Sequence, residues 1–219
     1  EYMNDKKQPD GFDIAMIKEI GKRMDKKVEI QNMEFKSLIG AMESDSINAI
    51  IAGMTKTEKR EKAVDFSDSY YTTNQAIILK KDSKITKLAQ LDGKKIGVQE
   101  GTTGDLISSG DKFGDGKKAK VLVKGAKVKR FKKGVDAVMD LKNGSVDAVV
   151  IDELTANEFV KKNAKKLKLV IDSAGSEYYC IALTKGNTAY KEEVNKQIKA
   201  IKEDGTYDKL KAKYIDSKN

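Results

Sequence analysis

An α/β fold built on mainly parallel sheets is what this sequence predicts, and three observations predict it. Apolar strand-like runs alternate with amphipathic helical stretches almost from end to end. A helix, a polar turn and a strand of small and branched apolar residues occur together twice, in "LIGAMESDSINAIIAGMT" (38–55) and "AVMDLKNGSVDAVVIDEL" (137–154). Each of those strands delivers polar residues at its C-terminal end, Gly-x-Thr in one and Asp-Glu in the other. Open α/β sheets hold their ligands at such ends.

Element by element, "GFDIAMIKEIGKRMDK" (11–26) carries Ile14, Ile17, Ile20 and Met24 at helical spacing, and "KVEIQNME" (27–34) alternates like a strand. "FKSLIGAMESDSI" is expected as a helix and "NAIIAGM" as a compact strand. "KKIGVQEG" (94–101) reads as a strand entering a loop. "FKKGVDAVMDLKNGSV" reads as a helix stopped by Asn143-Gly144, and "DAVVIDE" as a further strand. "LTANEFVKKNA" supplies a helix, "LKLVID" a strand, and residues 190–215 a long C-terminal helix or a pair. The Gly- and Lys-rich stretch 108–128 contains "AKVLVKG", a candidate added strand.

Composition narrows the chemistry. At 219 residues the chain has room for one large domain or two lobes with separate cores. Its 43 Lys and Arg against 34 Asp and Glu give a charge of +9, yet the excess is spread along the chain, so it reads as a solvated surface and not as a nucleic-acid footprint. With no histidine, triads that use imidazole and His-ligated zinc are excluded. The single cysteine, Cys180, sits among alternating apolar residues and reads as a buried thiol; it allows no intrachain disulfide. No apolar run approaches the roughly 20 residues of a membrane span, and residues 1–20 hold no signal-peptide core, so any export signal is expected to have been removed. No metal site and no cofactor are expected.

Three motifs carry recognition chemistry. In "GMTKTEKR" (53–60), the Gly53 carbonyl and Thr55 hydroxyl at a strand end can accept from an ammonium. The Thr55 amide and the planar fork of Arg60 can donate to a carboxylate, a grip that lysine cannot reproduce. A solvated helix charge is the plain alternative for Arg60. In "QEGTTGDLI" (99–107), Gly101, Thr102, Thr103 and Gly104 precede an apolar helix, so backbone amides are expected to face an anion there, unless the turn is only a cap. Asp152 follows a buried strand and can hold an ammonium; capping the next helix is its competing role.

These separated motifs, in this order and over nearly the whole chain, resemble the amino-acid-binding proteins of ABC importers. The segments that carry the likeness are "GFDIAMIKEI", "AIIAGMTKTEKREKAVDFSDSYY", "KKIGVQEGTTGD", "VDAVVIDE" and "KEDGTYDKLKAKY". The resemblance implies the type II periplasmic-binding-protein fold: two lobes, each a mainly parallel sheet flanked by helices, joined by a two-crossing hinge. Residues 1–70 and 181–219 would form one lobe and 71–180 the other, with Tyr70, Tyr71 and "EYYC" (177–180) at the crossings. It implies ligand contacts at Phe35, Ala52, Gly53, Met54, Thr55, Arg60, Gln99, Thr102, Thr103 and Asp152, with Phe35 against the ligand side chain and Gln99 reading it. Members similar to this chain place the ammonium-binding acid at Asp152. The implied function is extracytoplasmic capture of a polar or basic L-amino acid, arginine before glutamine, lysine or histidine, for a membrane permease, with no catalysis. Relatives begin with a strand and a proline-aromatic loop that precede Glu1 here, so a monomer is expected unless another chain supplies that strand. Two other classes share the fold: a sensor domain, and a dehydratase-like enzyme with Glu100 or Glu153 as general acid.

Overall fold

The computed structural model describes residues 1–110 and 123–216. Its elements in chain order are β1 (Tyr2–Met3), β2 (Pro9–Asp10), α1 (Phe12–Arg23), α2 (Leu38–Glu43), β3 (Ala49–Ile50), α3 (Glu58–Glu61), β4 (Val64–Lys80) and β5 (Lys95–Gln99). There follow α4 (Thr103–Ser109), β6 (Lys127–Phe131), α5 (Gly134–Asn143), β7 (Ala148–Asp152), α6 (Glu153–Lys161), β8 (Leu167–Thr184), α7 (Thr188–Glu203) and α8 (Thr206–Tyr214). The chain divides into two compact units. Unit 1 comprises Glu1–Met33, Ser37–Tyr71 and Tyr178–Asn219; unit 2 comprises Glu34–Lys36 and Thr72–Glu177.

In unit 2, β5 pairs in parallel with both β6 (Ile96↔Val128) and β7 (Gly97↔Val149), and β7 pairs antiparallel with β4 (Ala76↔Ile151). The runs Ala76–Leu79 and Ala148–Ile151 are buried along their whole length because both faces of this sheet are covered. Ala76, Ile78, Val149 and Ile151 pack with Ala137, Val138 and Leu141 of α5. Ile77, Leu79, Ala148 and Val150, pointing the other way, pack with Leu88, Leu91, Ile96 and Val98. Side chains alternate between faces, so a doubly covered strand shows no polar alternation. Helix α5 ends where Asn143-Gly144 predicts: Gly144 takes φ 81, and the Ser145 amide donates to the Asp140 carbonyl at 2.9 Å. Residues 119–122 of the candidate strand "AKVLVKG" lie outside the described residues, and Val123–Gly125 form a bend and turn.

In unit 1, α1 buries Phe12, Ile14, Met16, Ile17 and Ile20. It closes with Asp25 at φ 51 and a bond from the Lys26 amide to the Gly21 carbonyl at 2.8 Å, the geometry that satisfies orphan end carbonyls. β3 pairs antiparallel with β8 (Ala49↔Leu183). Residues 27–34, expected as a strand, form no strand. Alternation supplies a side-chain pattern, but a strand also needs a neighbour to complete its ladder, and none of the described strands pairs with this segment. The expected C-terminal helix is a pair, α7 and α8, broken at Asp204-Gly205. Phe12 anchors an aromatic cluster, with its ring 6.3 Å from Tyr70, 5.7 Å from Tyr71 and 5.8 Å from Tyr207. Tyr179 completes it. Burial, and secondarily the Asp13 carboxylate, raises the Tyr70 phenol well above its ordinary pKa.

Candidate functional site

The candidate residues fall into two sets, one on each unit. In unit 1, the chain leaves β3 and turns through Ala52 and Gly53, both half-buried, into buried Met54. Gly53 adopts φ 54, a conformation that costs other residues strain. A Cβ there would also stand 3.1 Å from the Tyr179 ring. Its amide donates to the Asp13 carboxylate at 2.7 Å. Asp13 is 5% exposed, on the first turn of α1, and so a buried charge fixes the turn from beneath. Met54 accepts at its carbonyl from the Cys180 amide at 3.0 Å, and Thr55 forms an antiparallel bridge with Tyr179.

Arg60 then returns to this strand end. Thr57 caps α3 by accepting from the Arg60 amide at 3.3 Å, and one guanidinium nitrogen of Arg60 donates to the Thr55 carbonyl. At 6% exposure Arg60 is no solvated helix charge. A cation is kept this deep only where partners hold it. The guanidinium is therefore anchored on the Gly53-Met54-Thr55 turn.

In unit 2, β5 ends at Gln99, whose carbonyl accepts from the Thr102 hydroxyl at 2.8 Å and from the Thr102 amide at 3.3 Å. The Thr102 oxygen caps α4 by accepting from the Asp105 amide at 3.3 Å. The Gly101 amide donates to Asp105 at 3.1 Å, and Asp105 is itself held by Arg130 Nε at 2.9 Å. Two of the four loop amides thus serve the loop itself. Gly104 seats α4 on the sheet: a Cβ there would lie 2.8 Å from the Val150 carbonyl oxygen and 3.0 Å from Gln75 Oε1. The Gln99 side chain donates to the Lys132 carbonyl at 3.4 Å. Half-buried Phe35 lies in the Glu34–Lys36 segment, which Lys36 ties to Glu100 at 2.6 Å and Glu34 to Lys132 at 3.0 Å.

Asp152 ends β7 and caps α6, its Oδ1 accepting from the Thr155 amide at 3.1 Å. The capping role expected for Asp152 is therefore present. Across the antiparallel ladder from Asp152 lies Gln75. Gln75, 5% exposed, donates from Nε2 to the Thr103 hydroxyl at 3.1 Å and to Glu177 Oε1 at 3.0 Å. Thr103 donates to Glu177 Oε2 at 2.9 Å. Gln75 Oε1 is buried with no hydrogen-bond partner among the described residues.

Sequence reasoning missed Asp13, Gln75 and Glu177. An acid on the apolar face of α1, and an amide leading the apolar run "QAIIL", were the signals available. Glu100 is ion-paired with Lys36, and Glu153 accepts from Asn74 at 3.0 Å. Cys180 is 3% exposed, and burial raises its thiol to about 11, the state of an inert core thiol.

The model of the family described as bacterial extracellular solute-binding proteins, family 3, matches residues 1–217. The arginine-binding extracellular protein ArtP of Bacillus subtilis (strain 168) is 34% identical over 208 residues, covering 94% of this chain and 77% of that protein. The ABC transporter glutamine-binding protein GlnH of the same organism is 34% identical over 210 residues, covering 94% and 72%. Among solved structures, an ancestral arginine-binding protein bound to arginine superposes with a TM-score of 0.88 at 40% identity, covering 98% of this chain and 92% of that one. ArtJ of Geobacillus stearothermophilus, described as an arginine-, lysine-, histidine-binding protein, gives a TM-score of 0.88 at 33% identity, covering 100% and 91%.

Proposed function

The chain belongs to the bacterial extracellular solute-binding proteins of family 3, with the type II periplasmic-binding-protein fold, and on that premise we propose that it captures an L-amino acid outside the cytoplasm and hands it unchanged to an ABC-importer permease. The observation that carries this reading is the buried Arg60 guanidinium, fixed at the Gly53–Thr55 strand end. A planar donor fork beside a turn is suited to an α-carboxylate. Asp152, ending β7, is suited to the α-ammonium and Thr103 to the same ligand head group. Phe35 and Gln99 face the side chain in this reading. A polar or basic side chain is favoured, arginine first, because relatives are named for arginine, glutamine and histidine. The chain passages at Tyr71–Thr72 and Glu177–Tyr178 act as the hinge.

The test is a thermal-shift screen of protein unfolded, stripped of carried-over ligand and refolded, against the twenty amino acids, with mass spectrometry of what is recovered. The reading expects a rise in Tm for arginine or another polar or basic amino acid, recovered intact. No shift with any amino acid, or recovery of a converted product, would overturn it.

A further inference from the structure

The Thr103 hydroxyl is gripped from two sides by groups that lie outside the three recognition motifs. Its proton goes to Glu177 Oε2 at 2.9 Å, and it accepts from Gln75 Nε2 at 3.1 Å. The same Gln75 nitrogen donates to Glu177 Oε1 at 3.0 Å, closing a three-membered ring of hydrogen bonds. We propose that Gln75 and Glu177 are positioning residues which lock the Thr103 hydroxyl in one rotamer for the ligand; the inference rests on Thr103 being a ligand group, as proposed above.

The chemistry fixes every direction in the ring. A carboxylate only accepts, so Thr103 must donate to it, and the amide must face it with NH2. Turning the Gln75 amide would aim Oε1 at the Glu177 carboxylate. That explains an otherwise costly feature, the buried Gln75 Oε1 with no partner among the described residues: the orientation that leaves it so is the one the charge demands. Packing leaves the amide little freedom. Gln75 is 5% exposed, and its Oε1 lies where a Cβ on Gly104 would come within 3.0 Å, so the absent side chain of Gly104 makes its room.

All members of this ring belong to unit 2, yet they come from β4, the start of α4 and β8. A purely structural ring would serve to join those elements. A positioning ring has a different signature, because loss of Glu177 then matters to the ligand only while Thr103 has a hydroxyl to be placed.

A double-mutant cycle separates the two. Calorimetric titrations with L-arginine and L-glutamine would compare the parent with Glu177→Met, Thr103→Val and the double variant, alongside melts of the ligand-free proteins. Glu177→Gln, close to isosteric and still able to accept from Thr103, is the second variant should Glu177→Met fold poorly. The expected result is roughly tenfold weaker binding for Glu177→Met and for Thr103→Val, with the double variant no weaker than the worse single. Glu177→Gln should recover part of the loss. Affinity within twofold of the parent for Glu177→Met, or losses that multiply in the double variant, would overturn the inference while leaving the amino-acid reading intact. Should the parent bind neither probe but another of the twenty amino acids, that amino acid becomes the titrant; a parent that binds none of them would bring both readings down together.

Discussion

Asp152 combines a helix cap with a proposed ammonium contact, and two substitutions pull these apart. Asp152→Asn keeps an oxygen for the Thr155 amide, which Asp152 Oδ1 now meets at 3.1 Å, and Asn ranks with Asp as an N-cap. What disappears is the charge. A hydrogen bond to a charged partner contributes about 1.5–3 kcal/mol. At about 1.4 kcal/mol per decade, affinity for L-arginine should fall roughly 10- to 100-fold. Asp152→Ala removes the cap as well, at a cost of about 1 kcal/mol. In a chain of 219 residues that lowers Tm by about 2–4 °C. Titration calorimetry and melts of the ligand-free proteins read both quantities. Parent-like binding by Asp152→Asn, or equal loss of Tm in the two variants with no loss of affinity in either, would rule out the ammonium contact.

Arg60→Lys replaces the fork anchored on the Thr55 carbonyl with a point charge, and ligand affinity should drop about tenfold or more; equal affinity would contradict the assignment. Gly104→Ala puts a Cβ 2.8 Å from the Val150 carbonyl oxygen, and overpacking of about 1–3 kcal/mol should lower Tm by roughly 2–12 °C. An unchanged melt would show that α4 is not seated there. Cys180, whose thiol burial raises to about 11, should resist iodoacetamide at pH 8 in the folded protein and react once the chain unfolds; native-state labelling at the rate of a small free thiol would contradict its burial.

Legibility in the sequence followed how local each signal was. The stop of α5 at Asn143-Gly144 depends on one residue's φ, and the helix, turn and strand around β7 on short apolar patterns, so these were readable; of "NAIIAGM" only Ala49–Ile50 is a strand, because the chain turns at Gly53. β6 was not, since "KVKRF" hides its strand period under Lys and Arg, as befits the last strand in the sheet order. Residues 27–34 erred the other way, with alternation but no partner strand. Within the candidate site, Gly53, Thr55 and Asp152 announce themselves by position at or just past strand ends, and Arg60 and Thr103 by standing in the helices that follow such ends. Asp13, Gln75 and Glu177 do not, because each gains meaning only from a contact 40, 28 or 74 residues away.

The central claim is that this chain recognises the α-carboxylate and α-ammonium of an amino acid. Its most direct test is a calorimetric comparison, on stripped and refolded protein, of the L-amino acid giving the largest thermal shift with the amine that remains when its α-carboxylate is removed. Saturable single-site binding of the amino acid is expected, with affinity for the amine lower by roughly 10- to 100-fold or more. An amine that binds as tightly as its parent amino acid would contradict it.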